Sequence, residues 1–385
     1  MLLQHRRRCV RFGWSSGAVL AAGVILVAAQ APAANIAWVS FHSADNMPTA
    51  AATAAGFTLA PDVGYTDLLT AAGHTVTRVV TSGAPNTATL NGFDLVIVGR
   101  SVPSGDYELD AETLAWNTQV TKPMIVMGGY TMRANRLGFM TASTEPVGTT
   151  GPIKLTVDPN HLGHPIFAGI PLDGAGTMTN NYSLGLQSIP NGGPVQRGIS
   201  INTDAIAGGG TLLATTPMGA AVGKVIAEWP AGAMLPNTGD TAGTDTLGGR
   251  RLIFQSGSRE DGGDASKAGI FDLDADGIQM FRNAVNYMSG PPVLAGDTDL
   301  DGDVDMDDFL AIRNNFQKSG RTRITGDLTG DTVTDWRDFR QWKTNFPTPA
   351  EAAAGSVPEP ASAVLGLTAC SVLLGAGRSI RRRRG

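Results

Sequence analysis

The densest chemistry in this 385-residue chain is carboxylate chemistry, and it is written twice. Asp297–Phe309 reads DTDLDGDVDMDDF and Asp327–Phe339 reads DLTGDTVTDWRDF, offset by 30 residues with no insertion. Asp297, Asp301, Asp305 and Asp308 recur as Asp327, Asp331, Asp335 and Asp338. Calcium takes six to eight oxygens, which a 12-residue loop supplies from positions 1, 3, 5, 7, 9 and 12 around a turn glycine at position 6. In the first copy these are Asp297, Asp299, Asp301, the Asp303 carbonyl, Asp305 and Asp308, with Gly302 at the turn. In the second they are Asp327, Thr329, Asp331, the Val333 carbonyl, Asp335 and Asp338. Two Ca2+ sites are expected. The second should bind more weakly, because Thr329 holds position 3 and Thr332 replaces the turn glycine. Seven carboxylates crowd the 12 residues of the first loop, so their repulsion should keep it disordered until a cation arrives.

Each loop needs an element behind it. Phe309, Ile312 and Phe316 recur as Phe339, Trp342 and Phe346, the i, i+3, i+7 spacing of one helical face. Each copy is therefore an acidic loop followed by a short amphipathic helix. Position 12 is Asp, and no long helix precedes either loop. Together these features closely resemble the type I dockerin module, over residues 297–346. The resemblance implies a small all-α calcium-binding domain whose loop positions 10 and 11 recognise a partner. Those positions are Met306–Asp307 and Trp336–Arg337, which differ from the usual Ser–Thr pair and from each other. The implied partner is a cohesin-like or other envelope protein.

The chain ends read as addresses. Residues 1–33 form a secretory signal: Arg6, Arg7, Arg8 and Arg11, an apolar Gly17–Ala29, then small residues with cleavage after Ala31 or Ala33. At the other end, Val357-Pro358-Glu359-Pro360 precedes the apolar run Ala361–Ala376 and five arginines from Arg378 to Arg384. This resembles the PEP-CTERM sorting tail (357–385). The resemblance implies a transmembrane segment before processing by an exosortase-type enzyme, and export through the inner membrane to the envelope, surface or medium. Between the ends, 20 basic and 33 acidic residues leave a net charge of −13, a poor surface for nucleic acid. Cys9 and Cys370 are the only cysteines and both lie in the targeting segments, so no thiol nucleophile or disulfide is expected in the mature protein.

The intervening 35–290 alternates short apolar runs with helical stretches. Strands are expected at Ile36–Phe41, His74–Val80, Phe93–Gly99, Met124–Met127, Thr211–Thr215, Lys224–Trp229 and Arg251–Gln255. Helices are expected at Tyr65–Ala72, Leu109–Val120 and Asp274–Met288, while 141–210 has no clear pattern. Strands spaced by helices predict an α/β fold, a flavodoxin-like, mostly parallel sheet with helices on both faces. Linkers are read at 291–296 and 347–356. The strand ending at His42, Gly92–Val98, Lys122–Gly129, His164-Pro165-Ile166, Arg251–Gln255 and Gly277–Met288 are similar to the class I glutamine amidotransferase-like fold, ThuA-like branch. That family's cysteine elbow would fall after Met127, where this chain has Gly128-Gly129-Tyr130, so glutaminase chemistry is not expected.

Ligands of open α/β sheets bind beyond the carboxyl ends of the strands, where His42, Tyr130 and Ser256–Asp261 fall. His42 and Ser256 are the catalytic candidates, set against a loop histidine and a serine that lacks the Gly-x-Ser-x-Gly elbow. His161 and His164 beside Asp158 are a metal candidate, set against a proline-bracketed loop. The favoured reading is an exported docking protein whose non-catalytic α/β domain works in a polysaccharide setting and binds carbohydrate. One alternative is an extracellular hydrolase of O-glycosyl bonds; the other is a calcium-rigidified surface spacer.

Overall fold

The computed structural model describes residues 33–347, apart from 196, 240, 242, 259–268, 291–293 and 299–303. The signal segment, the sorting tail and the first-loop positions Asp299, Asp301 and Asp303 lie outside the described residues, as do Glu260 and Asp261.

One eight-stranded sheet organises the body. Its strands are β1 (Asn35–Val39), β2 (Thr75–Val79), β3 (Leu95–Val98), β4 (Met124–Val126), β5 (Thr156–Val157), β6 (Thr211–Met218), β7 (Ala221–Trp229) and β8 (Arg251–Phe254). Across the sheet the order is β2-β1-β3-β4-β8-β7-β6-β5. The first five neighbours are parallel. β1, β3, β4 and β8 are nearly continuous apolar runs because both their faces are covered. Successive residues alternate between two cores. Ile36 and Trp38 join one with Tyr65 and Leu69 of helix 63–71 and Met280, Phe281 and Val285 of helix 275–289. Ala37 and Val39 join the other with Leu90, Trp116 and Val120.

The sheet is mostly parallel, as expected, and its other three strands are antiparallel. β6 and β7 pair antiparallel across a two-residue turn in which Gly219 has φ +65. A two-residue link leaves no room for a crossover helix. β7 is antiparallel to β8 and β5 to β6. The unpatterned 141–210 supplies β5, two-residue ladders such as Val147–Gly148 with Ser200–Ile201, and single turns at Pro159–His161 and Pro165–Phe167. The helix expected over Leu109–Val120 is α-helical only at Asp110–Leu114 and widens to a π turn at Ala115–Gln119. Fully buried Arg251 donates to the carbonyls of Trp116, Asn117 and Val120 there, at 3.1, 2.9 and 2.6 Å. It thereby satisfies acceptors that the ending helix releases.

Beyond Gly290 two more helices, α1 (Met306–Asn315) and α2 (Trp336–Asn345), pack through Val304, Ile312, Leu328 and Trp342, flanked by Phe309, Phe316 and Phe339. The expectation of helices alone is incomplete: Lys318–Ser319 pairs antiparallel with Val333–Thr334.

Candidate functional site

The sheet changes winding direction between β1 and β3, so their carboxyl ends flank the crevice where such folds bind ligands. Here that crevice is bridged. Phe41 N donates to Ser101 O at 2.8 Å, and His42 beside it is fully buried. His42 Nδ1 accepts the Thr49 amide at 3.1 Å, so in the neutral ring Nε2 carries the proton. Nε2 then donates to Ser101 Oγ at 3.2 Å. A general base for that serine needs the opposite tautomer. Burial lowers the His42 pKa against the pull of Asp62, with Arg78 adding to the lowering, so the ring is neutral. Under it Asp62 accepts Trp38 Nε1 at 2.9 Å and Ser40 Oγ at 2.7 Å and pairs with Arg78 at 2.9 Å. Arg78 also pairs with Asp45 at 2.7 Å.

Ser256 follows β8 and is equally buried. Its Oγ shares a short hydrogen bond with Tyr65 OH and donates to Asp272 Oδ1 at 3.1 Å. Asp272 also accepts Gly257 N and Ser258 Oγ, each at 2.9 Å, and lies 3.2 Å from Tyr65 OH, whose single proton goes to Ser256. Burial raises the Asp272 pKa to about 6, outweighing the lowering by these donors. Through these bonds Asp272 orients both serine hydroxyls. His42 and Ser256 thus lie at the expected strand ends, each locked into a separate buried network.

After β4, Gly128 has φ −87 and Gly129 opens a single 3-10 turn to Met132. Neither glycine has positive φ, so the strained elbow that presents a nucleophile does not form. Gly129 serves close approach: a Cβ there would lie 2.1 Å from Ser200 O. Tyr130 has Arg100 and Arg133 over its ring at 5.5 and 5.4 Å, and its OH reaches Glu145 at 3.3 Å.

His161 and His164 share the wall of a cleft of about 190 Å³ with Asn160, Arg323, Asp327 and Gly330. Asp158 does not join them, since its carboxylate accepts Asn160 N at 2.9 Å and caps its own turn. His164 Nδ1 accepts Ile166 N at 3.3 Å while Nε2 faces Glu228 at 3.5 Å, and Tyr287 OH donates to Glu228 at 2.8 Å. Burial raises the Glu228 pKa, but His164 and Tyr287 together bring it below the ordinary value. Among the described residues no three His, Cys, Asp or Glu gather into a group that could hold a metal.

The duplicated loops repeat one hydrogen-bond set. Thr298 N donates to Asp308 Oδ1, as Leu328 N does to Asp338 Oδ1 at 2.8 Å. Asp305 N and Asp335 N each reach Oδ2 of the same two aspartates at 2.7 Å. Asp305 and Asp335 cap the helices by accepting Asp307 N and Arg337 N, again at 2.7 Å. Asp297, Asp308, Asp327 and Asp338, the first and last positions of the two loops, are all buried. The loop ends offer oxygen donors, the type calcium takes, while the four aspartates of the second loop, all described, do not as they stand gather into a group that could hold a metal. The middle of the second loop is engaged otherwise. Asp331 and Asp335 pair with Arg337 at 2.6 and 3.0 Å, and Thr329 Oγ1 turns to Asp327 at 3.4 Å. Thr332, at the turn position, takes φ +66, the conformation a glycine would adopt freely. Asp327 Oδ2 accepts its amide at 2.7 Å, and Val333 N donates to Asp331 at 3.0 Å. Met306, Asp307, Trp336 and Arg337 are all exposed.

Sequence reasoning missed Ser101, Asp62 and Asp272. Asp272 stands in the run Phe271-Asp272-Leu273-Asp274, where Asp274 caps helix 275–289 and Asp272 reads as another acid of that cap. No protein-family model and no curated protein matches this chain.

Proposed function

We propose that this chain is an exported cell-envelope protein whose residues 297–346 form a dockerin-like calcium-binding domain that docks a cohesin-like or other envelope protein. In this reading the body is a non-catalytic, ThuA-like α/β domain serving in a polysaccharide setting. The observation that carries it is the hydrogen-bond set repeated around Asp308 and Asp338, with the loop-end carboxylates buried in both copies. Among the described residues, seven apolar side chains make a small core for this 50-residue stretch. A core of that size supplies only about 3–5 kcal/mol, and ion binding commonly makes up such a shortfall. Calcium, when bound, neutralises the gathered carboxylates; Asp297, Asp299, Asp301, Asp305 and Asp308 would hold one ion with the Asp303 carbonyl. Asp327, Thr329, Asp331, Asp335 and Asp338 would hold the other with the Val333 carbonyl. Exposed Met306–Asp307 and Trp336–Arg337 are the docking residues. The fixed tautomer of His42 and the buried setting of Ser256 support a body that does not catalyse.

The spacer reading has one observation in its favour. A Cβ on Gly330 would lie 2.5 Å from Asn160 O, so the second loop is braced against the body. Calcium titration of the full chain, followed by calorimetry and circular dichroism, tests the shared premise. Two binding events and a gain in helicity are expected; no heat at millimolar calcium removes both readings. Calcium-dependent capture of one envelope protein, lost on Trp336→Ala with Met306→Ala, then favours docking over the spacer.

A further inference from the structure

Arg337 stands at position 11 of the second loop and turns back into it. One guanidinium nitrogen lies 2.6 Å from Asp331 and 3.0 Å from Asp335, and Nε lies 3.2 Å from the same Asp335 oxygen. Its backbone N–H binds the other Asp335 oxygen at 2.7 Å. One residue thus occupies the carboxylates of loop positions 5 and 9. In the first loop the equivalent residue is Asp307, which adds negative charge instead. We infer that Arg337 is a built-in counter-ion, holding the second loop folded without a metal and competing with calcium for Asp331 and Asp335.

The inference rests on the calcium reading and adds to it a cause for inequality between the loops. A guanidinium and a divalent ion repel each other and contend for the same carboxylate lone pairs, so an arriving ion works against the Arg337 pairing. The side chain is 56% exposed and has water to swing into, which makes the competition graded, not a block. Asp327 and Asp338 accept loop N–H groups in hydrogen bonds that do not involve the arginine.

The test uses the full chain and its Arg337→Gln and Arg337→Lys variants. Exposed ion pairs of this kind are individually modest, so Arg337→Gln should tighten the weaker calcium site about tenfold in calorimetry. Arg337→Lys, which keeps the charge without the fork, should fall between. With excess chelator, hydrogen exchange should show peptide 327–338 protected in the parent and less protected in Arg337→Gln. An unchanged weaker-site affinity with unchanged protection overturns the inference. If neither loop takes calcium at all, the calcium reading fails, and the exchange comparison still decides whether Arg337 holds the loop.

Discussion

At the scale of single residues, the second loop carries a strain that one substitution should release. Thr332 is β-branched and sits at φ +66, where its Cβ crowds the backbone. Thr332→Gly should stabilise the C-terminal helices by about 1 kcal/mol after allowing for the flexibility of glycine, measured by urea unfolding in chelator. Asp272 offers a pH signature. Its folded pKa of about 6 lies above the ordinary value of 3.8, so between those values the folded chain keeps a proton that the unfolded chain has lost. This contribution is full below pH 4 and disappears as pH rises through about 6, on the order of 3 kcal/mol. His42, with a lowered pKa, acts in the opposite sense as pH falls below 6.5. The Asp272 share is therefore read as the difference between parent and Asp272→Asn in denaturant titrations at pH 4.5 and 7.5; parallel pH profiles would contradict it. The hydrogen-bond set of the acidic repeat was legible because its spacing is local. The His42–Ser101 and Ser256–Asp272 pairings were not, because they join residues 59 and 16 positions apart.

At the scale of elements, periodicity located most of the body. Asn35–Val39, Leu95–Val98 and Arg251–Phe254 begin and end within two residues of the runs seen in sequence, because strands covered on both faces are nearly pure apolar segments. Strand direction was less legible. Only the Met218–Ala221 turn separates the paired strands 211–218 and 221–229, and its Gly219 gave the one local sign of a hairpin. The π turn at Ala115–Gln119 was invisible for another reason, since its stabilising donor is Arg251, more than a hundred residues away. Gly129 shows how an element can depend on an absent atom. Gly129→Ala would drive a methyl to within 2.1 Å of Ser200 O, and the variant should lose at least several kcal/mol or fail to accumulate as folded protein. A melting temperature equal to that of the parent would refute this packing.

At the scale of the whole molecule, the two cores flanking the sheet are large and the core behind residue 290 is small. Chelator should therefore lower the melting of the C-terminal helices by calorimetry and leave the body transition in place; a uniform shift of both would contradict separate stabilisation. Trp342→Ala, which empties the centre of the small core, should cost about 3–5 kcal/mol and abolish the C-terminal transition in chelator. Trp342 has a further role in the design. Its indole nitrogen donates across the repeat to the backbone oxygen of Asp305, at 2.8 Å, joining the second helix to the ninth residue of the first loop. Any movement of that oxygen changes the polarity felt by the ring. Ultraviolet emission from Trp342 is thus an intrinsic optical gauge of the first loop, one that needs no attached dye and that Trp342→Phe would silence.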